Sequence, residues 1–156
     1  WCLALELTLL YLMILDNIQN PSIHSLLSSK YHEAQMHRLN IHAEIPDPVI
    51  HNYLTDLDLA VVLGHLMDNA IDGARKASEG FISLAYFDEE DCQSFIIEST
   101  IAEEQVPLSM MSTQLSHPEG GIGVNAVQDI LERYPNTSFS VRSQKHKMMQ
   151  ILEMRP

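Results

Sequence analysis

Positive charge is what this chain most lacks. Nine lysines and arginines stand against 21 aspartates and glutamates, a formal net charge of −12. A surface of that sign repels a nucleic-acid backbone, and no basic patch offsets it, so a nucleic-acid partner is excluded. Cysteine is scarce as well. Cys2 and Cys92 alone make no disulfide framework and fit a reducing compartment. A bilayer-spanning run is also missing. The apolar stretch over residues 1–15 contains Glu6 and falls short of the roughly 20 residues a span requires. It has no basic n-region and no clear cleavage site, so it is not a secretory leader. Leu3, Leu7, Leu10, Tyr11 and Leu15 recur in it at helical spacing and predict a packing helix. Glycine is rare, six in 156 residues, yet three of the six fall at positions 120, 121 and 123.

What is present centres on two segments about fifty residues apart. Residues 63–74 read Leu-Gly-His-Leu-Met-Asp-Asn-Ala-Ile-Asp-Gly-Ala. At roughly 100° per residue, with His65 at zero, Asn69 falls near 40°, Asp72 near 340° and Lys76 near 20°. Leu59, Leu63, Leu66, Ala70 and Ala74 occupy the opposite side. One face is aliphatic and the other a narrow polar strip. Asn and Asp are mediocre helix formers, and Gly73 costs about 1 kcal/mol against Ala inside a helix. A helix chosen for stability alone would carry Glu, Lys or Ala there. The bland alternative is a solvated face on a core helix.

The second segment, Gly-Gly-Ile-Gly-Val-Asn over residues 120–125, leads into Val127, Ile130, Leu131 and Tyr134 at helical spacing. A helix therefore starts at the glycines. Its unpaired N–H groups and positive dipole end favour a phosphate, and glycine lets that ligand approach the backbone. The literal dinucleotide pattern Gly-x-Gly-x-x-Ala also fits, but residues 112–119 are not the apolar strand that pattern needs. His32 and His37 are one residue too far apart for the zinc motif His-Glu-x-x-His.

At 156 residues the chain is long enough for one domain with a sizeable core. Periodicity predicts a helix over 23–39, a strand over 41–45, and a short pairing segment over 49–53. Asp56 or Asp58 should cap a long helix to about Ala77, with Gly80 ending it near its C′ position. Strands are expected over 81–87 and 93–101, with a turn over 88–91. A polar, irregular stretch follows over 102–119. The glycine-led helix then runs to Tyr134, and strands over 139–141 and 148–152 finish the chain. Without regular βαβ alternation, this favours an α+β fold: a two-layer sandwich with a mixed sheet packed on about three helices.

These segments resemble the ATP-binding catalytic domain of sensor histidine kinases, in the GHKL superfamily shared with gyrase, and within it the quorum-peptide and citrate-sensor types. Those kinases carry a segment like Leu-Gly-Asn-Leu-Leu-Asp-Asn-Ala-Ile-Glu-Ala and a Gly-Ile-Gly-Leu-x-Asn turn. Residues 20–30, Asn-Pro-Ser-Ile-His-Ser-Leu-Leu-Ser-Ser-Lys, are similar to the domain's opening helix. The resemblance implies a Bergerat-type ATP-binding fold over residues 21–156, preceded over residues 1–20 by the end of the dimerisation and phosphoacceptor hairpin. It implies ATP and Mg²⁺, with Asn69 on the metal, Asp72 holding a metal-bound water, and Gly121, Gly123 and Asn125 around the phosphates. Residues 102–119 would be the lid. It further implies a cytoplasmic domain of a membrane-anchored sensor, a homodimer, and a response regulator as the recipient of the phosphoryl group.

Two departures bear on chemistry. His65 stands where the family has Asn and gyrase has Glu, which places an imidazole in the catalytic position beside Asn69. The adenine-reading Asp-x-Gly-x-Gly motif is absent. The matching strand reads Phe-Ile-Ile-Glu-Ser-Thr-Ile over 95–101, with Ser99 near the position where the quorum type has Asn. These changes motivate a second reading, a non-catalytic relative serving as a dimerisation or interaction module.

Overall fold

The computed structural model describes residues 2–106 and 124–156. In chain order the elements are α1 (Cys2–Leu15), α2 (Pro21–Met36), β1 (Asn40–Glu44), α3 (Asp56–Lys76), β2 (Phe81–Glu89) and β3 (Cys92–Thr100). Then follow α4 (Val124–Glu132), β4 (Thr137–Gln144) and β5 (Lys147–Met154). The strands form one sheet in the order β1-β2-β3-β5-β4. β1 and β2 are parallel and every other pair is antiparallel. Helix α3 packs on β2 and β3, and α2 packs on α3 and β1. The mixed two-layer α+β architecture matches the sequence expectation.

Alternation explains why the sheet is buried on the helix side. Ile82, Leu84 and Tyr86 of β2, Phe95 and Ile97 of β3, and Leu152 and Met154 of β5 are all buried. The register pairs Leu84 with Ile97 and Phe95 with Leu152. A one-residue slip would turn this whole set to the other face. From above, Leu59, Val62, Leu63, Leu66, Met67 and Ala70 of α3 meet it, each with no exposed surface. Each such Leu, Met or Val side chain contributes about 1.5–3 kcal/mol through burial. The aliphatic face read from residue angles is therefore the face that packs.

Element ends differ from the expectations in informative ways. Helix α2 begins two residues early because Asn20 caps it, its side chain accepting from the Ser22 and Ile23 N–H groups, with Pro21 in the first turn. It stops at Met36, where Arg38 takes φ 59° and the Leu39 N–H returns to the Ala34 carbonyl. Thr55, not Asp56 or Asp58, caps α3, accepting from the Asp58 N–H at 3.2 Å. Helix α3 ends at a C-cap in extended conformation, Ala77, so Gly80 is not a helix cap. Glycine is needed at position 80 for space: a Cβ there would lie 2.3 Å from Leu39 Cδ2 and 3.0 Å from the Ala74 carbonyl oxygen. Strand β2 runs on to Glu89, which narrows the expected 88–91 turn, and β4 and β5 are longer than expected at both ends. Of residues 49–53 only Val49 pairs, in a single parallel bridge with Ile18.

Helix α1 forms, but its expected packing stripe is only half used. Tyr11 and Leu15 are buried, whereas Leu3 and Leu10 are exposed. Among the described residues no helix is long and apolar enough to cross a membrane.

Candidate functional site

The polar stripe of α3 carries His65, Asn69 and Asp72, all half-buried, on the side away from its aliphatic face. Of the sheet's four buried polar side chains, Gln93, Ser99, Ser143 and Gln150, two lie near this stripe. Gln150 of β5 and Ser99 of β3 are each 1% exposed. They belong to successive same-face pairs of the β3–β5 ladder, Ile97 with Gln150 and Ser99 with Met148.

Gln150 is fully engaged. Its Nε2 donates to the Leu66 carbonyl at 2.9 Å, and its Oε1 accepts from Asn69 Nδ2 at 3.2 Å. Asn69 thus turns its amide nitrogen toward the sheet. Ser99 is the opposite case: its Oγ is buried with no hydrogen-bond partner. An unsatisfied buried hydroxyl costs about 1–3 kcal/mol unless a water or a ligand atom meets it. Gly73 sits above it. A Cβ at Gly73 would come 3.0 Å from Ile101 Cγ2, 3.4 Å from the Thr100 carbonyl and 3.8 Å from Ser99 Oγ. Glycine lets α3 close on the end of β3 at this point.

The electrostatics suit an anion better than the net charge suggests. Asp68 pairs with Lys30 Nζ at 2.5 Å, and Lys30 also reaches Glu33 at 2.8 Å. Burial works to lower the Lys30 pKa, but the hydrogen bonds to Asp68 and Glu33 outweigh it and hold the ammonium above its usual range. Asp72 has Arg75 at 3.9 Å. The two carboxylates flanking Asn69 therefore each have a cation beside them, which lessens their repulsion of phosphate.

Gly121 and Gly123 lie outside the described residues, as does most of the expected lid. The helix predicted to follow the glycines is present from Val124, so Asn125 falls in its first turn. Its inner residues Val127 and Ile130 are buried. Its far end is tied to the start of α3 by a contact that sequence reasoning missed. Asp58 accepts from Tyr134 Oη at 2.6 Å and from Arg133 Nη2 at 2.9 Å. The Tyr134 hydroxyl bond, reinforced by Thr55 and Arg133, holds the Asp58 carboxyl below its ordinary value despite burial. Gln150 was missed too. Its signal was parity: Met148, Leu152 and Met154 share its face, and Gln is the polar member.

Among the described residues no group of three or more His, Cys, Asp or Glu side chains is arranged to hold a metal. One amide oxygen and a nearby carboxylate nevertheless fit Mg²⁺, which takes few protein ligands and completes its shell from phosphates and water.

The family model described as the GHKL domain matches residues 54–155. That span holds all of the site: α3, β3, α4 and β5. The chain belongs to the GHKL domain family. Its fold recurs in solved histidine kinase structures. The nucleotide-free catalytic domain of histidine kinase ThkA aligns with a TM-score of 0.67 at 13% identity, over 86% of this chain and 89% of that one. Histidine kinase AdeS of Acinetobacter baumannii gives 0.63 at 17% identity, over 86% and 62%. The histidine kinase domain of the blue-light activated kinase of Erythrobacter litoralis EL346 gives 0.63 at 13% identity, over 81% and 59%. No curated protein matches the chain. At these identities the structural likeness establishes the fold, and this GHKL domain shares it with histidine kinase catalytic domains. Helices α1 and α2 precede the matched span.

Proposed function

We propose that this GHKL domain is the ATP-binding module of a two-component sensor histidine kinase. It supplies the γ-phosphate of ATP to a histidine on a dimerisation domain, for relay to a response regulator. The observation that carries the reading is the pairing of α3's polar stripe with an unpartnered, buried Ser99 hydroxyl in the sheet beneath it. A solvated helix face has no need of a polar floor. The solved ThkA complex with the response regulator TrrA is consistent with such a relay in that protein.

In this reading the residues divide the work. Asn69, by its amide oxygen, and Asp72, through a water, would hold Mg²⁺. When bound, that ion neutralises phosphate charge and orients the γ-phosphoryl group. Gly121, Gly123 and the first turn of α4 around Asn125 cradle phosphate oxygens with backbone N–H groups. The Ser99 hydroxyl meets the base. His65, one turn before Asn69, orients the attacking imidazole or accepts its proton. Phosphoryl transfer asks little covalent chemistry of the protein, so positioning by these groups is the main contribution. Helix α1 is the end of the dimerisation hairpin, through which a homodimer forms and which links the domain to a membrane-anchored sensor.

The test is calorimetry with Mg-ADP and a non-hydrolysable ATP analogue, on the unsubstituted chain and on Asn69→Ala. The expected result is binding by the unsubstituted chain and loss of the magnesium-dependent increment in Asn69→Ala, at least about tenfold in Kd or about 1.4 kcal/mol. No binding at millimolar nucleotide would overturn the kinase reading. The changes at His65 and Ser99 and the missing adenine motif would then favour the second reading, a GHKL-like interaction module.

A further inference from the structure

We infer that Gln150 is a positioning residue that fixes which end of the Asn69 amide faces the ligand. The inference rests on the nucleotide-site reading above. An asparagine amide has two ends of opposite character, a carbonyl oxygen that can bind a cation and an NH₂ that cannot. Rotation of χ2 by a half-turn exchanges them at little cost in shape. A site that needs the oxygen must hold the nitrogen elsewhere.

The chain settles this by a sequence of forced choices. The Leu66 carbonyl is backbone and can only accept. Gln150 lies 2.9 Å from it, so Gln150 must place its NH₂ there. The Gln150 carbonyl oxygen then points to Asn69, and a carbonyl can only accept. Asn69 must therefore offer its own NH₂, which leaves Oδ1 on the outer side of the amide. Among the described residues Oδ1 has no hydrogen-bond partner. The direction of both amides is dictated by one fixed acceptor on α3, one turn before Asn69. Gln150 is itself 1% exposed and belongs to a central strand, so its amide cannot turn outward to water without opening the sheet–helix contact. A leucine would pack at this position with less polar cost, as Leu152 does two residues on. The buried amide is explained by what it holds.

The test separates orientation from packing. Nucleotide affinity is measured with and without Mg²⁺, and the ratio of the two is the magnesium coupling. In Gln150→Leu the coupling should fall at least about tenfold, toward that of Asn69→Ala, while magnesium-free affinity stays within about threefold. The double variant Asn69→Ala/Gln150→Leu should lose no further coupling than Asn69→Ala alone, because both act through one group. Gln150→Met, which keeps the unbranched shape, should behave as Gln150→Leu does and serves if the leucine variant does not fold. A second readout needs no nucleotide. In NMR spectra of the ligand-free chain, the Asn69 side-chain NH₂ should exchange slowly with water and lose that protection in either Gln150 variant. Retained coupling in a folded Gln150 variant overturns the inference alone, as does an equal fall in affinity with and without magnesium. No magnesium-dependent binding by the unsubstituted chain overturns the nucleotide reading and this inference with it.

Discussion

Single residues in this chain carry meaning that depends on how far away their partners lie. The stripe of His65, Asn69 and Asp72 was legible from residue angles because a helix fixes its own geometry. Gln150 was not, because its partners Leu66 and Asn69 lie more than eighty positions away and meet it only through the β3–β5 register. Gly80 shows the same limit from another side. A glycine after a helix suggests a C′ cap, but here the α3 terminus is closed at Ala77 and Gly80 leaves room for Leu39 and the Ala74 carbonyl. The two obstacles differ. Leu39 Cδ2 is the tip of a side chain and can move, whereas the Ala74 carbonyl is backbone of α3 and cannot shift cheaply. Gly80→Ala should therefore destabilise the fold by about 1–3 kcal/mol, the usual cost of overpacking. Urea denaturation would read it as a lower midpoint at unchanged slope. An unchanged midpoint would mean that Leu39 gives way freely and that the glycine answers no steric need.

Elements were easier to find than to bound. The long amphipathic helix, the strands and the glycine-led helix all stand where periodicity placed them, because each signals itself within ten to twenty residues. Their ends are set by caps and by contacts from elsewhere, such as Thr55 on α3 and Asn20 on α2. The link between α3 and α4 is one such contact. Tyr134 Oη and Arg133 reach Asp58 across about seventy-five positions, and Tyr134 Oη also accepts from the Thr55 N–H at 3.2 Å. This link has a pH signature. The folded-state pKa of Asp58 is depressed, chiefly by the Tyr134 hydroxyl, so its contribution is fully present above the ordinary aspartate value of 3.8. It is lost as pH falls through the depressed folded value. Tyr134→Phe should lower Tm at neutral pH, and the gap to the unsubstituted chain should narrow below pH 3.8. Thermal melts from pH 7 down to pH 2.5 would measure it. A gap that stays constant into acid would mean that the tyrosine acts through its ring packing rather than through the carboxylate.

At the scale of the whole molecule, the two-layer mixed sheet was legible because strands and helices alternate irregularly in the sequence. What no count of elements could reveal is how α1 would sit. Among its described side chains, Tyr11 and Leu15 are the buried ones, Tyr11 with its ring stacked on Tyr31 at 3.8 Å between centroids. Leu3, Leu5, Leu9, Leu10 and Met13 are between 55% and 74% exposed. At roughly 100° per residue they fall within one broad arc, on the side opposite Tyr11 and Leu15, so the face of α1 already packed on its own domain leaves them uncovered. Elsewhere among the described residues the exposed large apolar side chains are Met36, Ile50 and Leu57. A concentrated apolar surface of this kind is the sort that protein or membrane contacts bury. A second copy offering the same helix is the occupant that the dimerisation-hairpin reading requires. The chain should therefore associate reversibly in analytical ultracentrifugation. Leu9→Glu with Met13→Glu, one turn apart on the exposed side, should leave it monomeric. Because both substitutions lie on α1, which precedes the matched GHKL span, magnesium-dependent nucleotide binding should be unchanged in the monomer. A chain that is monomeric without substitution would remove the dimer proposal. A dimer that survives the double substitution would place the interface on a surface other than α1.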